Sequence, residues 1–488
     1  MEFIELADYP LPTGRVTEWL PTAERHWADW PRDHRAISHN HESHLRDALE
    51  HNRVRDRRHC WLGHVLRVDG PLDARAWRSA LESWVDRHEV LRSHVAVEGG
   101  RAARYTLGAG AVRVRPIDAG RPASAMSSYR LVQQLLDQRT SPLDWPAHLC
   151  VTIEERDSFT AIIAADHSMM DGYSTTWIGG ELRLLYDAAR AGRPADLPEA
   201  ASYLDFCHAE RARAEAAGPA HTAVTIWRDF LAAAAGPTTP AATLSAVSAD
   251  PASTAPPRLA AARPVPQRAL AVELLDARAT ERAAAAAREH GQGTTAALLA
   301  AFAAVATEPA AAPEFRTVVP VHTRDEPRWA GSLGWYVGLA PYRIACDTNS
   351  LAELITPSGA ELRRVRAAAS VPFARVCELL GTRPRISFMV SYMDIRGVLH
   401  ADRWIESETR WLRSRAYAGD EFFFWFLRTP AGLTLNTRYP AGTRATRDVH
   451  RHVLRLRELL GEFAEHGDAP LRRAPLDLGI GQGAPAWK

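Results

Sequence analysis

Apolar positions run nearly unbroken over 151–153 and again over 159–163, which predicts two short buried strands. Trp177, Ile178, Leu182 and Leu185 then recur at helical spacing and predict a helix over 173–186. Between them lies a polar turn, Asp166-His167-Ser168-Met169-Met170-Asp171-Gly172. A His and an Asp in a strand-to-helix turn sit where catalytic groups are usually carried. Upstream, the pattern predicts a strand over 60–68, stopped by Asp69-Gly70-Pro71. A helix follows over 73–88, with Asp73 as N-cap and an apolar face of Ala76, Trp77, Ala80, Leu81 and Trp84. Residues 90–95 open another strand. Everything before about residue 58 reads as irregular, because Pro10, Pro12, Pro21 and Pro31 punctuate it. His34, His39, His41, His44 and His51 fall in that stretch. Their spacing gives no tight ligand pair backed by Cys or carboxylate, so they are assigned to a solvated or partner-facing helix.

In the second half, 203–232 reads as mostly helical, and 235–267 turns to Ala, Pro, Thr and Ser, the composition of an exposed connection. A new unit starts with a strand over 269–275 and a helix over 277–290. After Gly291-Gln292-Gly293 comes a helix over 294–307, with Leu298, Leu299, Phe302 and Val305 as its packing face. Strands over 315–321, 422–427 and 433–439 and a helix over 446–465 complete an α/β unit. The chain thus runs strand–helix–strand twice, consistent with two similar halves.

Composition removes alternatives. At 488 residues, 46% apolar, 24% charged and a formal net charge of +1, the chain has the make-up of a soluble globular protein, with no support for nucleic-acid or polyanion binding. The five cysteines form no Cys-x-x-Cys pair, so neither a zinc site nor a disulfide framework is expected. The first eight residues lack a signal-peptide pattern, and no apolar run is long enough for a membrane span. A cytoplasmic location follows as the expectation.

The turn resembles the His-His-x-x-x-Asp-Gly signature of the CoA-dependent acyltransferase superfamily, with Asp166 at the first His position. That superfamily includes chloramphenicol acetyltransferase, nonribosomal peptide condensation domains and mycobacterial polyketide-associated acyltransferases. Three further blocks carry the same resemblance in the same order: VDGPLDARAWRSALESWVDRHEVLRSHV, LGWYVGLAPYRI, and PRISFMVSYMD with PFARVCELL before it. In the second of these, Leu339 or Ala340 stands where condensation domains commonly have Asn. The resemblance implies an α/β (α+β) fold: two chloramphenicol-acetyltransferase-like subdomains, 1–215 and 216–488, in a V-shaped pseudo-dimer with the site at their interface. It implies a free-standing acyltransferase that joins a thioester-bound acyl or aminoacyl group to an amine or hydroxyl acceptor.

The residues support roles at different strengths. His167 is the expected general base, since an imidazole titrates near neutrality. Asp171 is expected to be structural: the resemblance pairs it with Arg324 of Val321-His322-Thr323-Arg324-Asp325, and a buried carboxylate needs such a partner. Gly172 would let the backbone come close, with its N–H toward an oxyanion. Asp166 either steadies the turn, contacts a cationic acceptor or holds the imidazole. Tyr173, Trp335, Tyr336, Ser387, Met389 and Ser391 are candidate channel-lining residues, although a period of two does not say which face they occupy. No Gly-x-Ser-x-Gly elbow points to a covalent intermediate. No metal or bound cofactor is expected; the donor is a phosphopantetheine or CoA thioester, and an acyl or peptidyl carrier protein is the expected partner. The competing expectation is a catalytically silent relative that recruits carrier proteins or tailoring enzymes.

Overall fold

The structure, a computed structural model, describes residues 2–53, 59–234, 265–310, 312–399, 401–404 and 406–471. The Ala/Pro-rich connection falls outside these residues as far as 264, and Gln267 already opens a strand.

Two large sheets organise the chain. The first has seven strands in the order Phe3–Glu5, Arg410–Arg413, Trp61–Asp69, Ser158–Asp166, His148–Glu154, Arg15–Thr22 and Arg113–Gly120. Ser158–Asp166 lies in its middle, and all nine of its residues are buried. Its sequence shows no alternation because both faces are covered. Trp77, Ala80, Leu81 and Trp84 of helix Ala74–Arg87 and Ile178, Leu182 and Leu185 of helix Ser174–Arg190 cover one face; Val132 and Leu136 of helix Ala125–Arg139 lie in the core on the other. Asp73 starts the first of these helices as its spacing predicts, its carboxylate accepting from the N–H groups of Arg75 and Ala76 at 3.0 Å each. At the helix end, buried His88 bonds Glu181 at 2.8 Å, which makes it a structural histidine.

The second sheet has six strands: Gln267–Asp276, Gly432–Pro440, Phe422–Thr429, Phe388–Asp394, Glu314–His322 and Val337–Ala345. Phe388–Asp394 runs parallel to both neighbours, and the other pairings are antiparallel. Phe302 sits at the centre of its core, against Phe315, Phe388, Phe424 and Phe426. The first sheet takes Arg410–Arg413 from the second half of the chain, so the two halves share a sheet.

Three expectations are corrected. The N-terminal stretch is not irregular: Arg15–Thr22 is a full strand of the first sheet. Pro21 is tolerated because the strand pairs with His148–Glu154 only through Trp19 and beyond that bonds one neighbour. The His-rich piece is helical, over His39–Arg53, but not a solvated face, since His39 and His41 are buried. The Ala-rich helix Thr294–Thr307 has no single packing face either; every residue from Ala296 to Thr307 is buried. Small side chains let neighbouring layers close around it from all sides.

Candidate active site

Three main-chain bonds fix the turn that ends strand Ser158–Asp166. The Asp166 N–H donates to Ala147 at 2.9 Å, the His167 N–H to Cys60 at 2.8 Å, and the Asp171 N–H to Gly334 at 3.0 Å. The last of these ties the turn to the second half of the chain.

Asp171 is a hub. Its Oδ2 accepts from Arg324 Nη1 at 2.7 Å and from the Tyr336 N–H at 2.9 Å, and its Oδ1 accepts from the Ser174 N–H at 2.7 Å. Its side chain is 1% exposed and that of Arg324 5%. Burial alone would push the carboxyl up, but the Arg324 guanidinium and the Ser174 bonds hold it below the usual carboxylate value. Arg324 also donates to Ser174 Oγ at 2.8 Å and lies over the Tyr336 ring at 4.2 Å. Asp171 is therefore saturated and locks the turn to segment 332–336.

His167 is half-buried rather than sealed. Its ring lies on Trp335, with centroids 4.3 Å apart and planes tilted by 36°. Of its two ring nitrogens, Nδ1 is buried. Burial pushes the imidazole below its ordinary pKa; its own backbone and the carboxylates of Asp166 and Asp171 act the other way, while His44 acts with burial. The ring is thus neutral, and so able to accept a proton, at pH 7.

Asp166 does not hold that imidazole, and it is not placed to meet an acceptor, being 0% exposed. Its carboxylate takes the N–H of Ser168 at 2.9 Å, which steadies the turn, and meets Nε2 of His44 at 3.0 and 3.1 Å. His44 comes from the N-terminal helix and meets Trp335 edge to face, with centroids 5.8 Å apart. Trp335 thus touches two imidazoles.

The other expected site residues separate. Tyr173 and Trp335 are half-buried beside the turn. Tyr336 is not a channel residue: it is 0% exposed, bonds Ser332 at 2.7 Å, and packs against Tyr203 and Phe206. Both residues precede strand Val337–Ala345, and the Tyr336 N–H bond to Asp171 with the hydroxyl bond to Ser332 turns its ring into the core while Trp335 stays on the site side. Phe388 and Val390 enter the second core, while Ser387, Met389 and Ser391 take the other face, Ser387 and Ser391 buried there and Met389 half-buried. That face leads on to Met393, whose methyl lies 3.8 Å from where a Gly172 Cβ would sit. Nothing in the protein therefore demands glycine at 172, and its backbone is not left-handed. Close approach does require a glycine at position 334, where a Cβ would fall 2.3 Å from the Tyr203 ring. Sequence reasoning missed Gly334 and His44. The first was inside a matched block; the second belonged to a histidine run whose buried face has too few apolar residues to show a period.

Among the described residues, no group of three or more His, Cys, Asp or Glu is placed to hold a metal ion, and no helix is long and apolar enough to cross a membrane. Comparison with known proteins agrees with the geometry. The condensation-domain family model matches residues 49–476. Acyltransferase PapA3 of Mycobacterium tuberculosis is 22% identical over 475 residues, covering 95% of this chain and 96% of that protein. The solved PapA2 acyl transferase superposes with a TM-score of 0.82 at 20% identity, covering 95% of this chain and all (100%) of that one. The X-domain from teicoplanin biosynthesis, solved in complex with OxyB, superposes at 0.61 and 19% identity, covering 90% of this chain and 96% of its own. With its turn, its two-subdomain fold and a family match over most of its length, this chain belongs to the condensation-domain family and is an acyltransferase of that type.

Proposed function

We propose that this protein joins an acyl or aminoacyl group, delivered as a phosphopantetheine or CoA thioester, to an amine or hydroxyl acceptor, with His167 as general base. The observation that carries the reading is the half-buried His167 on Trp335 beside an Asp171 already saturated by Arg324. Asp171 has no free lone pair aimed at chemistry, which supports His167 as the acceptor of the proton. As the acceptor oxygen or nitrogen attacks the thioester carbonyl, its proton passes to Nε2 and the C–O or C–N bond forms. The oxyanion then collapses, the C–S bond breaks, and the leaving thiolate takes the proton back from the imidazolium. No group on the enzyme becomes acylated.

An acyl or peptidyl carrier protein is the proposed partner, and natural-product assembly in the cytoplasm the proposed setting. The similarity to acyltransferase PapA3 favours turnover, whereas the X-domain solved in complex with OxyB gives the second reading, recruitment without turnover. Purified protein incubated with acyl-CoA and with acyl-loaded carrier protein, plus a panel of amines and alcohols, decides between them. Ester or amide product by mass spectrometry, lost in His167→Gln, supports catalysis. Stoichiometric carrier or partner binding with no product from any donor refutes it in favour of recruitment.

A further inference from the structure

We propose that His44, delivered from the N-terminal helix, is a positioning residue for this acyltransferase: paired with Asp166, it supplies from another part of the chain the imidazole that the His-His-x-x-x-Asp-Gly form carries at its first position. The proposal rests on His167 being the base.

Asp166 stands at the first motif position, is fully buried, and is the last residue of the central strand. A carboxylate there is costly unless a cation meets it. The group that meets it is His44, 122 residues away in sequence, with Nε2 3.0 Å from one carboxylate oxygen and 3.1 Å from the other. The two groups shift each other as an ion pair does: burial would push His44 down, but Asp166 brings it above the ordinary histidine value, and burial would push Asp166 up, but His44 and Ser168 bring it below. His41, on the same helix, is no rival, since burial with Arg104 nearby pushes it down to about 3. Asp47 from the helix also acts on His44, Asp171 across the turn acts on His167, and Asp166 in turn raises the Cys60 thiol before the neighbouring strand.

This arrangement has three consequences for the base. It fixes the turn at the residue immediately before His167, and it pins one edge of the Trp335 platform on which His167 lies. It also neutralises a carboxylate that would otherwise raise His167 and hold its proton. Glutamine at 44 would keep a donor but remove the charge; asparagine at 166 would remove the anion.

The test follows His167 itself by NMR titration of histidine-labelled full-length protein, alongside product formation from acyl-CoA. In His44→Gln the His167 titration moves to higher pH, and turnover falls on the order of tenfold to a hundredfold through misplacement of the base. Asp166→Asn and the double variant leave the titration near its wild-type position. The exchanged pair, His44→Glu with Asp166→His, regains fold and turnover relative to either single variant. An unmoved His167 titration in His44→Gln overturns the proposal, as does an exchanged pair no better than the singles. If instead His167→Gln keeps full turnover, the base reading fails, whatever the titrations show.

Discussion

Replacing Arg324 by Met tests the lock on the catalytic turn. The variant keeps an unbranched apolar stem but strips the guanidinium from Asp171, which is left with the Ser174 and Tyr336 N–H groups alone. With both side chains at 5% exposure or less, removing one partner of this pair should cost about 3–5 kcal/mol. Urea unfolding followed by tryptophan fluorescence reads the loss. The pH dependence separates it from simple loss of packing. In the wild type the folded Asp171 carboxyl lies below its unfolded value, so its stabilisation is complete above about pH 4 and is lost only as pH falls through the lowered value. In the variant burial is no longer opposed by the cation and the folded carboxyl rises. Its penalty is then greatest at neutral pH and fades as the group becomes protonated. The stability gap between the two proteins therefore narrows on acidification from pH 7 toward pH 4. A loss under about 1 kcal/mol, or a gap that widens on acidification, would refute the reasoning.

Further outcomes follow from the same geometry. Gly334→Ala should destabilise by about 1–3 kcal/mol, because its Cβ would overlap the Tyr203 ring; a melting temperature equal to wild type contradicts this. Gly172→Ala should change stability by no more than about 0.5 kcal/mol, since its Cβ meets only the Met393 methyl at ordinary contact distance, so any loss of turnover in that variant belongs to substrate approach. Trp335→Leu should lower turnover with little change in the unfolding midpoint, as it removes the surface beneath His167 from a half-buried position; equal turnover would show that the ring contact is idle.

Much of the frame was legible from local pattern. The strand-turn-helix around His167, the Asp73 cap and the helix Thr294–Thr307 all rest on signals a few residues long, and the folded elements coincide with them. What escaped was non-local or lacked an apolar signal. Arg410–Arg413 is four residues long and gains its place only by pairing with Trp61–Asp69 at one edge and Phe3–Glu5 at the other. The choice between Trp335 and Tyr336 as the site-facing ring is decided by Tyr203 and Phe206, which come from elsewhere in the chain. His44 carries no hydrophobic period at all; its role appears only when Asp166 is seen to need a cation.

The most direct test of the account is the pH profile of kcat/KM for acyl transfer by the wild type, set beside the activity of His167→Gln. Burial lowers the His167 pKa, so the acid limb should fall below about pH 6.5, with full activity above it where the ring is neutral. His167→Gln should lose about 10²–10⁴-fold in kcat and the acid limb with it. A variant that turns over at the wild-type rate, or one that keeps the same acid limb, would contradict the claim that this imidazole takes the acceptor's proton.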